Sequence, residues 1–206
     1  MSPSSSTSPV RRAVAADIAG MSESLRRAFG DDPFYDWVLP AGAHREAALR
    51  GFFRLLLTQL SDQLQETYTT SGLAGSAVWL APGKHQLSWW RQLRLVPSFT
   101  QVVGLGGIRR GLRIISHMDA LHASVMTAPH YTLSLLGVEP SAQRQGLGRQ
   151  LLQPILDRCD DERIPAYVDT AKADNVPFYE RVGFDLQTEA QHPEFPTFWC
   201  MTRTPR

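Results

Sequence analysis

The feature that most constrains this chain lies in its C-terminal third. An apolar, strand-like run, Tyr131 to Val138, ends at Glu139-Pro140-Ser141 and leads into Gln143-Arg144-Gln145-Gly146-Leu147-Gly148-Arg149. An amphipathic helix follows, in which Leu147, Leu151, Leu152, Ile155, Leu156 and Cys159 recur on one face. Pro154 sits inside that pattern, where its missing N–H and its crowding of the Gln150 carbonyl predict a kink. A second strand-like run, Ala166 to Thr170, comes next. Strand, helix and strand in this order imply a parallel pair joined by a right-handed crossover. With further strands on both sides, the fold class is α/β (α+β): a mixed central sheet flanked by helices and built around the strand–helix–strand core.

Upstream, Val10 to Val14 reads as a short strand. Ile18, Met21, Leu25 and Phe29 follow at helical spacing, with Asp17 placed to cap them and Gly30-Asp31-Asp32-Pro33 to stop them. A helix is predicted over Ala43 to Leu60, and a hairpin over Glu66 to Thr70 and Ser76 to Leu80, turning at Ser71-Gly72. Helical periodicity continues through 86–125, weakened by glycines at 104, 106, 107 and 111. Downstream, Pro177 to Arg181 reads as a short helix stopped by Gly183, and Phe184 to Leu186 and Phe195 to Met201 as closing strands. Residues 1–9, rich in Ser and Pro, read as a disordered tail, and 10–206 as a single domain.

Composition removes several function classes. Twenty-one basic side chains face 20 acidic ones, a net charge of +1, which argues against coating nucleic acid or an anionic membrane through bulk charge. Two cysteines, Cys159 and Cys200, support neither a disulfide framework nor a cysteine-ligated metal centre, and a reducing cytoplasm is the expected compartment. The least polar stretch, Leu95 to Ile108, is interrupted by Pro97, Gln101 and three glycines, so no bilayer span is expected.

The segment 143–149 carries the chemistry. A helix N-terminus offers unpaired N–H groups and the positive end of the helix dipole to an anion. Glycines at 146 and 148 allow close backbone approach, and Arg144 and Arg149 add positive charge. The pattern is neither a Walker loop nor a dinucleotide fingerprint, because no Gly-Lys-Ser/Thr follows and no third glycine comes after Gly148. On the glycines alone, a plain loop entering a helix accounts for it equally well.

The order Gln/Arg-x-x-Gly-x-Gly after an apolar strand resembles the acetyl-CoA loop of the GNAT N-acetyltransferases. Leu135-Leu136-Gly137-Val138-Glu139-Pro140 is similar to the family's bulged fourth strand, and Asn175-Val176-Pro177-Phe178-Tyr179-Glu180-Arg181-Val182-Gly183-Phe184 to its downstream Asn and Tyr-Glu-x-x-Gly-Phe segment. Ile164-Pro165-Ala166-Tyr167 and Phe198-Trp199-Cys200-Met201-Thr202-Arg203 resemble the puromycin-acetylating branch. The detailed match spans residues 129–206, whereas the first 125 residues depart from that branch. The resemblance implies an acetyl-CoA cosubstrate gripped by Leu136, Val138, Gln143, Arg144, Gln145, Gly146, Leu147, Gly148, Arg149 and Asn175, and a small-molecule primary amine as acceptor in a monomer or homodimer. Its alternatives are a peptide or protein N-acetyltransferase and a non-catalytic acyl-CoA sensor.

Amide formation from a thioester needs a base, an oxyanion donor and an acid for the leaving thiolate. The resemblance places Tyr179 beside the sulfur as the acid; without it, a buried aromatic with a polar handle is the simpler reading. Asp169, ending a core strand, is the first candidate for holding the ammonium or relaying its proton, though a strand-end residue of purely structural use fits as well. The oxyanion donor is expected at a backbone N–H near Val138, freed by a bulge. His130 is a second titratable group nearby, read more simply as a surface residue. Acceptor contacts are expected from Phe34, Tyr35 and Trp37 beside Asp31, Asp32 and Asp36, or from an aromatic-packed loop of the same residues with no ligand. Trp89-Trp90 fits a pocket wall or an anchor equally.

Overall fold

The computed structural model describes residues 9–39, 42, 44–59, 66–83 and 89–206, with the side chains of 89–96 excepted. The expected tail at 1–8 and the side chains of Trp89 and Trp90 fall outside the described residues. Seven strands form one sheet: β1 (Val10–Arg12), β2 (Thr67–Thr70), β3 (Gly75–Leu80), β4 (Tyr131–Val138), β5 (Ala166–Thr170), β6 (Asp185–His192) and β7 (Phe195–Arg203). Their order is β1-β2-β3-β4-β5-β7-β6. All neighbours are antiparallel except β4 and β5, which run parallel. The mixed sheet is therefore as the sequence pattern implies.

Two apolar cores sandwich the sheet. On one face lie α1 (Ile18–Ala28), α2 (Pro33–Val38), α3 (Arg45–Gln59) and α4 (Trp89–Val125), which bury Met21, Leu25, Leu49, Phe53, Leu57 and Ile114. On the other face, α5 (Leu147–Glu162) and α6 (Val176–Arg181) cover Trp79, Tyr131, Leu133 and Val168 with Leu151, Leu152, Ile155 and Tyr179. The helical face read from 147 to 159 is the buried one, down to fully buried Cys159. α5 continues through Pro154 to Glu162. α4 breaks at Gly104, whose φ of 72° and ψ of 167° leave the helical region.

Three local expectations are corrected. Asp17 does not cap α1: its carboxylate accepts from the Val14 N–H (2.9 Å) and pairs with Arg11 (2.7 Å), locking β1 to the turn before the helix. β6 extends to His192 although only its first residues read as a strand, because it is an exposed edge strand whose polar side chains face water. His130 is buried, since the end of α4 lies over the start of β4.

The sheet's decisive irregularity is where β4 meets β5. Only Tyr131, Thr132 and Leu133 pair with Ala166, Tyr167 and Val168. From Ser134 onward β4 has no β5 partner, while its other edge stays paired to β3 as far as Val138. Gly137 lies where α1 crosses this free half: a Cβ there would come 2.6 Å from Leu25 and 3.2 Å from the Ala28 Cβ. Gly137→Ala is therefore expected to lower unfolding free energy by about 1–3 kcal/mol through overpacking, read from urea denaturation midpoints at unchanged m-value.

Candidate active site

Where β4 and β5 part, two cavities open. The larger, about 790 Å³, lies between the end of β4, the start of α5 and α6. Its floor is the turn at 143–149. Arg144 (φ 62°) and Gly146 (φ 79°, ψ 0°) both take left-handed backbone, and Gly146 stands at the N-terminal boundary of α5. Left-handed conformation is cheap for glycine and strained for residues carrying a Cβ. The first intrahelical bond is Gln150 N–H to the Gly146 carbonyl (3.1 Å), so the amides of Leu147, Gly148 and Arg149 precede the helix's own hydrogen bonding. Gly148 packs under Phe178, with an added Cβ at 3.2 Å from that ring.

Arg144, Arg149, Lys172 and Arg181 line this cleft, against Asp31, Asp32 and Asp174. Lys172 Nζ is held by Asp31 (2.6 Å), which ties the segment after β5 to the α1–α2 loop. Nine of the ten residues expected to hold the cosubstrate line the cleft: Leu136, Val138, Gln143, Arg144, Gly146, Leu147, Gly148, Arg149 and Asn175. Gln145 does not; its side chain turns back to the Ser141 carbonyl (3.3 Å). Gln143 Nε2 donates to the Val138 carbonyl (3.1 Å), pinning the loop to the end of β4.

The bulge in β4 is not at Val138. Val78 faces Leu135 and Trp79 faces Leu133, so Ser134 is the extra residue. Val138 is open for a different reason. Glu139 N–H donates to the Ala74 carbonyl (2.8 Å), and antiparallel pairs alternate, so the N–H groups of Leu136 and Val138 point away from β3 toward the side β5 has left. Two amides on one exposed edge are ready to pair with an extended ligand and an oxyanion.

The second cavity, about 230 Å³, lies deeper between α2, α3, α4 and the diverging strands. Phe34, Tyr35, Asp169 and Tyr179 line it, along with Phe52, Ile115, Met118 and Phe198. Phe29, Asp32, Leu136 and Asn175 line both cavities, so the two meet at those four residues. Trp37 lines neither; it packs edge-on against Phe195 (5.2 Å between centroids) on β7. Asn175 donates to Thr170 Oγ1 (2.9 Å), which fixes its amide at the junction.

Burial pushes the Asp169 carboxyl up to about 6, opposed by the hydrogen bond it accepts from the Tyr167 hydroxyl (3.2 Å). Burial, reinforced by the Asp169 and Asp32 carboxylates, raises Tyr179, which is a neutral phenol at physiological pH. Burial also raises Asp32, while backbone N–H donors at Phe34 and Tyr35 pull it back. His130 lines neither cavity: its Nε2 lies 2.6 Å from Nε2 of His122, its Nδ1 2.6 Å from the Ala128 carbonyl, and burial lowers its basicity. Asp32 was legible only as part of an acidic-aromatic loop; its place at the junction follows from the fold.

An opened parallel edge, a helix start with basic side chains around it and an adjoining cavity lined by Asp169 and Tyr179 thus lie together where β4 and β5 part. Residues 100–204, just over half of the chain, match the acetyltransferase (GNAT) domain family, and the chain belongs to it. An uncharacterised N-acetyltransferase of Schizosaccharomyces pombe is 26% identical over 189 residues, covering 86% of this chain and 74% of that one. A Corynebacterium glutamicum structure described as histone acetyltransferase HPA2 and related acetyltransferase has a TM-score of 0.67 at 21% identity and covers 97% of each chain. Arylalkylamine N-acetyltransferase 2 of Aedes aegypti has a TM-score of 0.61 at 16% identity, covering 97% of this chain and 100% of that one. The family uses acetyl-CoA and acts on amines. Among the described residues no helix is long and apolar enough to cross a membrane.

Gly146→Val places a β-branched residue at a φ of 79° and denies the backbone to an anion. Acetyl-CoA affinity, measured by calorimetry, is expected to fall by about tenfold or more, the scale of 1–2 kcal/mol of left-handed strain, while the thermal unfolding midpoint drops by a few degrees.

Proposed function

We propose that this chain transfers an acetyl group from acetyl-CoA directly to the primary amine of a small molecule, as a single catalytic domain spanning residues 10–206. The observation that carries this reading is the shared wall of Phe29, Asp32, Leu136 and Asn175 between a cleft lined by Arg144, Arg149, Lys172 and Arg181 and a smaller cavity lined by Asp169 and Tyr179. The free α5 amides, with Arg144 and Arg149, hold the cosubstrate's phosphates, and the Leu136 and Val138 backbone pairs with its amide-bearing arm. The bound thioester supplies an activated acyl carbon.

The residues of the chain do the rest. Asp169 takes a proton from the incoming ammonium, directly or through one water, and leaves a free amine. As the C–N bond forms and the C–S bond breaks, the Val138 N–H stabilises the developing oxyanion. Tyr179 gives its proton to the departing thiolate, and the second N–H proton of the attacking nitrogen, which the amide does not keep, leaves through water to reprotonate the phenol. Cys159 and Cys200 are buried, with burial raising both thiols, which favours direct transfer over an acyl-cysteine. Two buried free thiols also suit the reducing cytoplasm we assign.

The fold neighbours are named for histone and for arylalkylamine acetylation, so architecture does not choose the acceptor. The second cavity favours a small one: its volume, about 230 Å³, lies below the roughly 300–1,000 Å³ of pockets that take drug-sized ligands.

Thiol release from acetyl-CoA across a panel of amines tests the reading; acetyl-CoA binding with turnover of no amine would sink it. Tyr179→Phe is expected to lower kcat by about 10²-fold or more with acetyl-CoA affinity nearly unchanged. A base must be ionised to work, so kcat/KM for the amine should rise as pH increases through about 6, and Asp169→Asn should abolish that limb. The same raised value means that the folded state holds a proton the unfolded chain has lost between the ordinary carboxyl range and about 6. Stability is therefore lost as pH rises through that window, and Asp169→Asn should unfold at a higher temperature than wild type at pH 8.

A further inference from the structure

Resting on the acetyl-transfer reading, we infer that the second cavity selects a small acceptor with one ammonium group on an apolar, aryl-sized body, and that Asp32 binds this ammonium alongside Asp169. Among the side chains lining that cavity, Asp32 and Asp169 are the two that carry charge. They occupy one end of it: both carboxylates act electrostatically on the Tyr35 and Tyr179 phenols, and Asp32 also faces the cosubstrate cleft. The α3 and α4 walls supply Phe52, Leu56, Ile115 and Met118, with no charged group. A second cation against those walls would lose its hydration and meet no counter-charge among the lining side chains; Asp119 of α4 acts on Asp169 but does not line the cavity. An aromatic or branched alkyl body would instead meet ring edges and aliphatic carbon.

Asp32 is preorganised for the task. It is buried at the start of α2, where its Oδ1 accepts the Phe34 N–H at 3.0 Å, so the carboxylate is already oriented before a ligand arrives. The nearby ammonium of Lys172 is engaged by Asp31 at 2.6 Å. A carboxylate removed from water, with the Phe34 and Tyr35 N–H groups as its backbone donors, retains acceptor capacity that an alkylammonium can fill. The sequence reading assigned the ammonium to Asp169 on the sheet; the fold adds Asp32 on the helical side, so the nitrogen is held between two layers of the structure at the point where the cavities join.

The test is steady-state acetylation of 2-phenylethylamine, 1,5-diaminopentane and a hexapeptide with a free N-terminus. The monoamine should exceed both others in kcat/KM by about tenfold or more, one unit of 1.4 kcal/mol or greater. Asp32→Asn retains a good helix cap while removing the charge. It should raise KM for 2-phenylethylamine by about tenfold or more and leave KM for acetyl-CoA within about twofold. A preference for the diamine or the peptide would overturn the assigned class while acetyl transfer itself stands, as would an unchanged amine KM in Asp32→Asn. Turnover of none of the three, with acetyl-CoA still binding in calorimetry, would overturn both. The wild-type comparison decides the substrate class even if Asp32→Asn fails to fold.

Discussion

Everything at this site depends on two parallel strands that stop pairing after three residues. Had β5 continued alongside β4, the amides of Leu136 and Val138 would be spent in the ladder and the space between the strands filled. Because β4 remains paired to β3 along its other edge, the opening costs no loss of strand integrity. The result is an exposed strip of backbone in the interior of a seven-stranded sheet, at the carboxyl ends of its parallel pair, the position where open α/β sheets place their ligands.

An opening in a sheet collapses unless both faces hold it apart. On one face α1 lies against Gly137 so closely that a methyl group does not fit, and the Arg27 guanidinium reaches down to Glu139 beyond the end of β4. On the other face the fully buried Leu151, Leu152 and Ile155 seat α5 against β3 and β4. Burial of those side chains at about 1.5–3 kcal/mol each outweighs the exposed ion pairs around them, each worth about 0–1 kcal/mol. The bracing is therefore chiefly apolar.

The sequence was informative where a signal is local. β4 and β5 have the predicted bounds, and the helix from Leu147 has its predicted start and apolar face, because an apolar run bounded by proline, serine or glycine needs no partner to be recognised. It misled where the outcome depends on what packs across. His130 follows a proline in a polar stretch, yet α4 brings His122 over it and buries it. Trp37 sits within one helical turn of the cavity-lining Phe34 and Tyr35, but its face of α2 meets Phe195. The bulge falls at Ser134 rather than beside Val138, a property of the pairing with β3 that no side chain in β4 announces. β6 is mostly polar beyond Leu186, and its strand is formed by pairing along β7. The cosubstrate residues, clustered within one loop, were almost all legible; Asp32, brought to the junction by the α1–α2 connection, was not.

The charge layout also gives the reaction a direction. Four cations and the helix-start amides outweigh Asp31, Asp32 and Asp174 in the larger cleft, while Asp32 and Asp169 are the charged lining of the second cavity; on the proposed reading an anionic carrier and a cationic acceptor are each drawn to one side of the shared wall. Acetylation converts the ammonium into a neutral amide. The product then offers Asp32 and Asp169 no counter-charge, and buried carboxylates left unpaired bear a desolvation cost that the substrate had relieved. The interaction that favours entry is cancelled by the chemistry itself, so binding strength toward the amine does not carry over into retention of the product. An apolar cavity without those carboxylates would hold the neutral amide better than the ammonium; with them, the proposed site reverses that preference by the charge the reaction removes.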